Sequence, residues 1–112
     1  NGFKKYIIKK NPVINLVVSD GANKTYGYEL SKFISVKPPK IKVLNENGAG
    51  DAMAGSYIYY RYKNFSLEKS LSLGVATGTV HAKSKKNTKF NEVDIKKVIN
   101  KIKIKKEHLN VK

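Results

Sequence analysis

"NENGAGDAMAG", Asn45 to Gly55, holds three glycines, two acids and no lysine in a chain of 112 residues whose formal net charge is +15. The run before it, "KIKVL" from Lys40 to Leu44, reads as a strand with Ile41 and Val43 on one face, and the run after it, Asp51 to Tyr62, reads as a helix without proline. A strand that feeds "NGAGD" into a helix gathers backbone N–H groups and the positive end of the helix dipole at one point, which makes an anion site. Gly48 and Gly50 leave the backbone open to a phosphate and accept positive φ. Asp51 would repel that anion unless its carboxylate faces a substrate hydroxyl while the amides face the phosphoryl group the hydroxyl attacks. Positioning and charge stabilisation dominate phosphoryl transfer, so a carboxylate beside bare amides meets both needs. The plainer alternative has Asp51 capping the helix, with Gly48 and Gly50 making a tight turn.

The remaining sequence supplies a small α/β frame for this loop. "VINLVVSDG", Val13 to Gly21, has the β-branched apolar run of a strand buried on both faces, ended by a turn. "KTYGYEL" and "SKFISVKP" alternate around Tyr26, Tyr28, Phe33, Ile34 and Val36 as two strands of a hairpin that Pro38 and Pro39 stop. In the first helix, Ala52, Gly55, Tyr59 and Tyr62 fall at helical spacing, and small residues at 52, 54 and 55 would let it lie close to a sheet. Ser66 starts a second helix with Leu67, Leu71, Val75 and Val80 as its buried stripe, where Gly74 and Gly78 are unfavourable unless close packing needs them. A third helix runs from about Val93 to Lys103, and the tail "KKEHLNVK" reads as frayed. The order of strands, strand–glycine loop–helix and two further helices predicts an α/β layer architecture.

Composition narrows the function. Without cysteine there is neither a disulfide frame nor a thiolate metal site, and His81 and His108 are too few and too far apart to suggest zinc. No apolar run approaches the roughly 20 residues of a membrane span and no signal segment opens the chain, so a cytoplasmic protein is expected. The charge raises a second class of function, a basic nucleic-acid-binding module with tyrosines as stacking platforms. Of the 23 basic residues only Arg61 is arginine, and the lysines spread from Lys4 to Lys112, as solvated surface would. Tyr57, Tyr59, Tyr60 and Tyr62 crowd one helix, so some are expected to pack inside.

"NENGAGDAMAG" resembles the carboxy-terminal signature of the ribokinase-like (pfkB) carbohydrate kinases, D-T-x-G-A-G-D-x-F-x-G, which Gly48, Ala49, Gly50, Asp51, Ala52 and Gly55 match in register. "VVSDG" is similar to the family's strand ending in T-x-G, and "FSLEKSLSLGVATGTV" to its S-L-E-E-A-L helix and small-residue run. The resemblance implies a three-layer ribokinase-like sandwich, of which residues 1–112 would be the carboxy-terminal part with the ATP half of the site. The substrate-binding part and lid would lie in a preceding segment, and this piece alone would be inactive. It implies ATP-dependent phosphorylation of a sugar or nucleoside hydroxyl, with Asp51 as catalytic base and Gly48, Ala49 and Gly50 as anion hole. Gly21, Val75, Thr79 and Lys83 would flank the nucleotide, Mg2+ would ride on the ATP phosphates, and the full-length enzyme would form a homodimer. A degenerate relative that keeps the fold as an inactive scaffold is the remaining reading.

The departures are specific. The signature's Asp-Thr is Asn45-Glu46, which removes a charge that helps bind a monovalent cation in many members; the aromatic after the base is Met53; and Lys24 replaces the second glycine after T-x-G. The R-x-G-A-like stretch is "KSKKNT", where Lys83, Lys85, Lys86 and Lys89 either hold ATP phosphates or form a solvated loop. "NxNGAGDA" resembles pseudouridine kinases more closely than ribokinase or fructokinase, through Asn45 and Asn47.

Overall fold

The computed structural model describes residues 16–20, 24–29, 32–45, 47–84 and 92–108. Four strands form one antiparallel sheet in sequence order: β1 Leu16–Asp20, β2 Lys24–Glu29, β3 Lys32–Lys37 and β4 Lys103–His108. The expected hairpin is β2–β3, with Gly27 opposite Ile34 and Tyr28 opposite Phe33, and it ends one residue before Pro38. Phe33 to Val36 are all buried, because β3 lies between β2 and β4 and is covered on both faces. β1, expected to be that doubly buried strand, instead pairs only with β2 among the described strands, and Val18 is 37% exposed.

Three helices complete the described chain: α1 Ala49–Tyr62, α2 Leu67–Lys83 and α3 Glu92–Ile99. Ser66 caps α2 as expected, its hydroxyl accepting from the Lys69 amide at 3.1 Å, and Asn64, at φ +67°, turns the chain between α1 and α2. Leu67, Leu71 and Val75 of α2 bury against Ile34 and Val36, with Met53 and Tyr57 of α1 reaching the same cluster. Ala76 and Val80, farther along α2, bury against Val98 of α3. Each fully buried aliphatic of this kind contributes about 1.5–3 kcal/mol, so α2 is the hub of the core.

Three further expectations are corrected. α1 lies against α2 rather than directly on the sheet, and none of its residues is buried: Gly55 is exposed, Tyr59 and Tyr62 are 54% and 82% exposed, and Tyr57 and Tyr60 are half-buried. The close approach comes from α2 instead, where a Cβ on Gly74 would sit 3.0 Å from the Met53 carbonyl oxygen and one on Gly78 3.0 Å from that of Ala49. Residues 40–44 form no strand, since the Leu44 amide, like that of Asn45, donates to the Ala82 carbonyl rather than to a sheet neighbour. The third helix stops at Ile99, and residues 103–108, part of the supposedly frayed tail, pair with β3. A strand so rich in lysine fits a sheet edge, where charge discourages further pairing.

Ion pairs add to the frame. Arg61 of α1 bonds Glu29 of β2 and donates to the Phe65 carbonyl at 3.2 Å, which ties the far end of α1 to the sheet. Burial raises the pKa of the neighbouring Tyr57 hydroxyl, opposed by the Arg61 charge and reinforced by Glu29.

Candidate active site

The glycine loop is built at the junction of two helix ends. Gly48, at φ +82°, is the N-cap of α1, and no side chain caps the helix. The helix begins at Ala49, so Asp51 lies in its first turn and is not its cap, while the tight turn of the plainer reading is present at Gly48. A left-handed backbone at position 48 is what glycine supplies without strain. The first amide shown bonded inside α1 is that of Ala52, which donates to the Gly48 carbonyl at 2.8 Å. The amides of Ala49, Gly50 and Asp51 precede it, the ones a helix leaves without an internal acceptor. A Cβ placed on Gly50 would meet nothing within 4 Å, so the loop is open on that side. Asp51 is exposed and makes no hydrogen bond or ion pair with the described residues. Amides with no acceptor inside the helix, a carboxylate without a partner among the described residues and open space beside Gly50 therefore coincide at the tip of α1.

The last turn of α2 holds this loop from behind. The Ala82 carbonyl accepts from the amides of Leu44 at 2.8 Å and Asn45 at 3.0 Å, so a helix end that would otherwise lack donors satisfies the loop's first amides. His81 Nε2 lies 2.5 Å from the Asn47 carbonyl oxygen and 3.4 Å from Asn45 Nδ2. A carbonyl only accepts, so the proton sits on Nε2 and the nitrogen donates to Asn47. Sequence reasoning weighed His81 only as a zinc ligand. The overlooked signal is spacing: Gly74 and Gly78 mark the face of α2 that meets α1, and His81 is the next residue on that face.

The other expected site residues separate. Val75 is buried in the core cluster with Ile34 and Leu71, and the buried Thr79 donates its hydroxyl to the Val75 carbonyl at 2.8 Å. Lys83 is exposed at the end of α2. Gly21, Lys85, Lys86 and Lys89 lie outside the described residues. Among the described residues no group of three or more His, Cys, Asp or Glu side chains converges. No helix among the described residues is long and apolar enough to cross a membrane.

Comparison with known proteins finds carbohydrate kinases. The chain is 34% identical over 73 residues, 65% of its length, to the ATP-dependent 6-phosphofructokinase isozyme 2 of Escherichia coli, of which it covers 24%. The structure of Escherichia coli phosphofructokinase-2 in complex with potassium matches with a TM-score of 0.73 at 28% identity, over 87% of this chain and 31% of that one. A Staphylococcus aureus protein assigned as a phosphofructokinase gives a TM-score of 0.80 at 21% identity over 97% and 35% of the two chains, a likeness of fold. The chain thus spans 24% of its curated relative and 31–35% of these solved ones. The family model for pfkB carbohydrate kinases matches residues 4–93 and takes in β1 to β3, the open loop, α1 and α2: the chain belongs to the pfkB family and carries the carboxy-terminal portion of its ribokinase-like α/β fold.

Proposed function

We propose that the enzyme containing this chain transfers the γ-phosphoryl group of ATP to a sugar hydroxyl at the tip of α1. The observation that carries the reading is the free, exposed Asp51 carboxylate one residue beyond the open Gly50 backbone. Asp51 accepts the hydroxyl proton as the oxygen attacks phosphorus, the bond from phosphorus to the β-phosphate oxygen breaks, and ADP leaves. The amides of Ala49, Gly50 and Asp51 take up charge developing on the transferred group, and the Gly48 turn presents them. Magnesium bound with ATP would neutralise part of the same charge. Asn45 in place of the family's aspartate leaves a neutral amide beside His81, which argues against strong monovalent-cation activation in this member.

A sugar is favoured over pseudouridine as the acceptor. The pseudouridine likeness lay in Asn45 and Asn47, and Asn47 has a local task in the loop, its carbonyl accepting from His81 Nε2. The relatives found are carbohydrate kinases, and the reading places the enzyme in the cytoplasm, with its sugar-binding part and any homodimer contact in chain outside these residues. The test is steady-state kinetics of the full-length enzyme with ATP and fructose 6-phosphate as trial acceptor. Asp51→Ala is expected to lower kcat by at least about 10²–10⁴-fold, the range for a general base, with ATP affinity within about threefold of the parent. An unchanged kcat removes Asp51 from the mechanism.

A further inference from the structure

We infer that His81 is the positioning residue of the anion loop: from the last turn of α2 its Nε2–H holds the Asn47 carbonyl and thereby sets the Gly48 turn that presents the amides of Ala49, Gly50 and Asp51. The inference rests on the phosphotransfer reading for its kinetic consequence, though not for its geometry.

The contacts are specific to this side chain. Nε2 is 2.5 Å from the Asn47 oxygen, and the ring stands 3.4–3.5 Å from where a Cβ on Gly48 would be. The Asn47 carbonyl and the Gly48 amide belong to one planar peptide unit, so drawing that oxygen toward α2 turns the Gly48 N–H away from it. Rotation of this plane is the motion that φ of Gly48, at +82°, describes. Glycine has no side chain to restrict that angle, so something outside the loop must hold it. The Ala82 carbonyl already fixes Leu44 and Asn45 one residue farther along α2. The two anchors clamp both sides of residue 46 to one rigid helix turn, and His81 is the only one of the two that acts through a side chain. Such outer-shell partners change activity by about 10- to 100-fold in metal sites, and a comparable factor is expected here.

The experiment uses the full-length enzyme as parent, His81→Ala and His81→Gln, the last because its side-chain amide retains an N–H donor. Kinetics with ATP and fructose 6-phosphate are read beside backbone 15N order parameters for residues 44–51. His81→Ala is expected to lower kcat about 10- to 100-fold with a smaller change in the KM for the sugar, and to bring the order parameters of Gly48 and Gly50 from near 0.85 to below about 0.6, with those of residues 67–78 unchanged. His81→Gln should recover most of both effects. The inference is overturned if His81→Ala leaves loop order and kcat intact, if residues 67–78 loosen equally, or if glutamine does no better than alanine. Should the parent transfer no phosphate, the phosphotransfer reading fails, and the order parameters alone decide whether His81 holds the loop.

Discussion

Gly48 shows how one residue type sets a site. Its φ of +82° would cost a residue with a Cβ about 1–2 kcal/mol, whereas the nearest atoms to that Cβ, on His81, stand at an ordinary 3.4 Å. The penalty is one of backbone rather than of space. Gly48→Ala should therefore destabilise the protein by about 1–2 kcal/mol and lower turnover, while Gly48→Asn, whose side chain tolerates the left-handed region, should retain more of both; thermal unfolding and kinetics check the order. At this scale the turn itself was legible in the sequence, because "NGAGD" carries its backbone requirement locally: Gly48 takes the positive φ expected of it. His81 was not legible in the same way. A lone histidine on a helix has no local signature, and its partner, a main-chain oxygen 34 residues earlier, leaves no mark on side-chain identity.

Helix α2 organises the elements around the loop. A Cβ on Gly78 would meet the Ala49 carbonyl at 3.0 Å and Met53 Cβ at 3.1 Å, so α1 and the loop would have to move. Overpacking of this kind costs about 1–3 kcal/mol against a helix-propensity gain of about 1 kcal/mol, so Gly78→Ala should destabilise by up to about 2 kcal/mol and also reduce turnover. Gly27→Ala, whose Cβ would meet the movable tips of Leu71 and Leu67 at 3.0–3.2 Å, should be milder in chemical denaturation and leave kcat unchanged. The stripe of α2 that meets the sheet was legible because Leu67, Leu71 and Val75 repeat at helical period, although every residue from Gly74 to Val80 is buried in a helix packed on several sides. The errors fell where partners are distant in sequence. Residues 40–44 have a strand's alternation but donate to a helix end, and β4 gains strand geometry only by pairing with β3, far away along the chain.

For the whole molecule, charge is the property most easily over-read. Every described lysine except Lys24 is exposed, spread over the strands, the connections, α2 and α3, and the best-exposed tyrosines, Tyr59 and Tyr62, share one helix. Tyr59, Tyr60 and Phe65 contact one another in series with Lys63 and Lys69 over the outer rings, but Tyr60 and Phe65 are half-buried and offer a base little open face. A random single-stranded oligonucleotide is therefore expected to bind with a Kd weaker than about 10⁻⁵ M at about 0.15 M salt; micromolar affinity with a steep salt slope would revive the nucleic-acid reading. Family membership, the hairpin, the cap of α2 and the left-handed turn at Gly48 followed from sequence alone, since each depends on residues within a few positions of one another. Which helix faces which, the edge position of β1, the late strand β4 and the grip of His81 on the loop belonged to the tertiary structure. Each is a contact between segments that local propensity does not relate, and only folding brings them within a few ångströms.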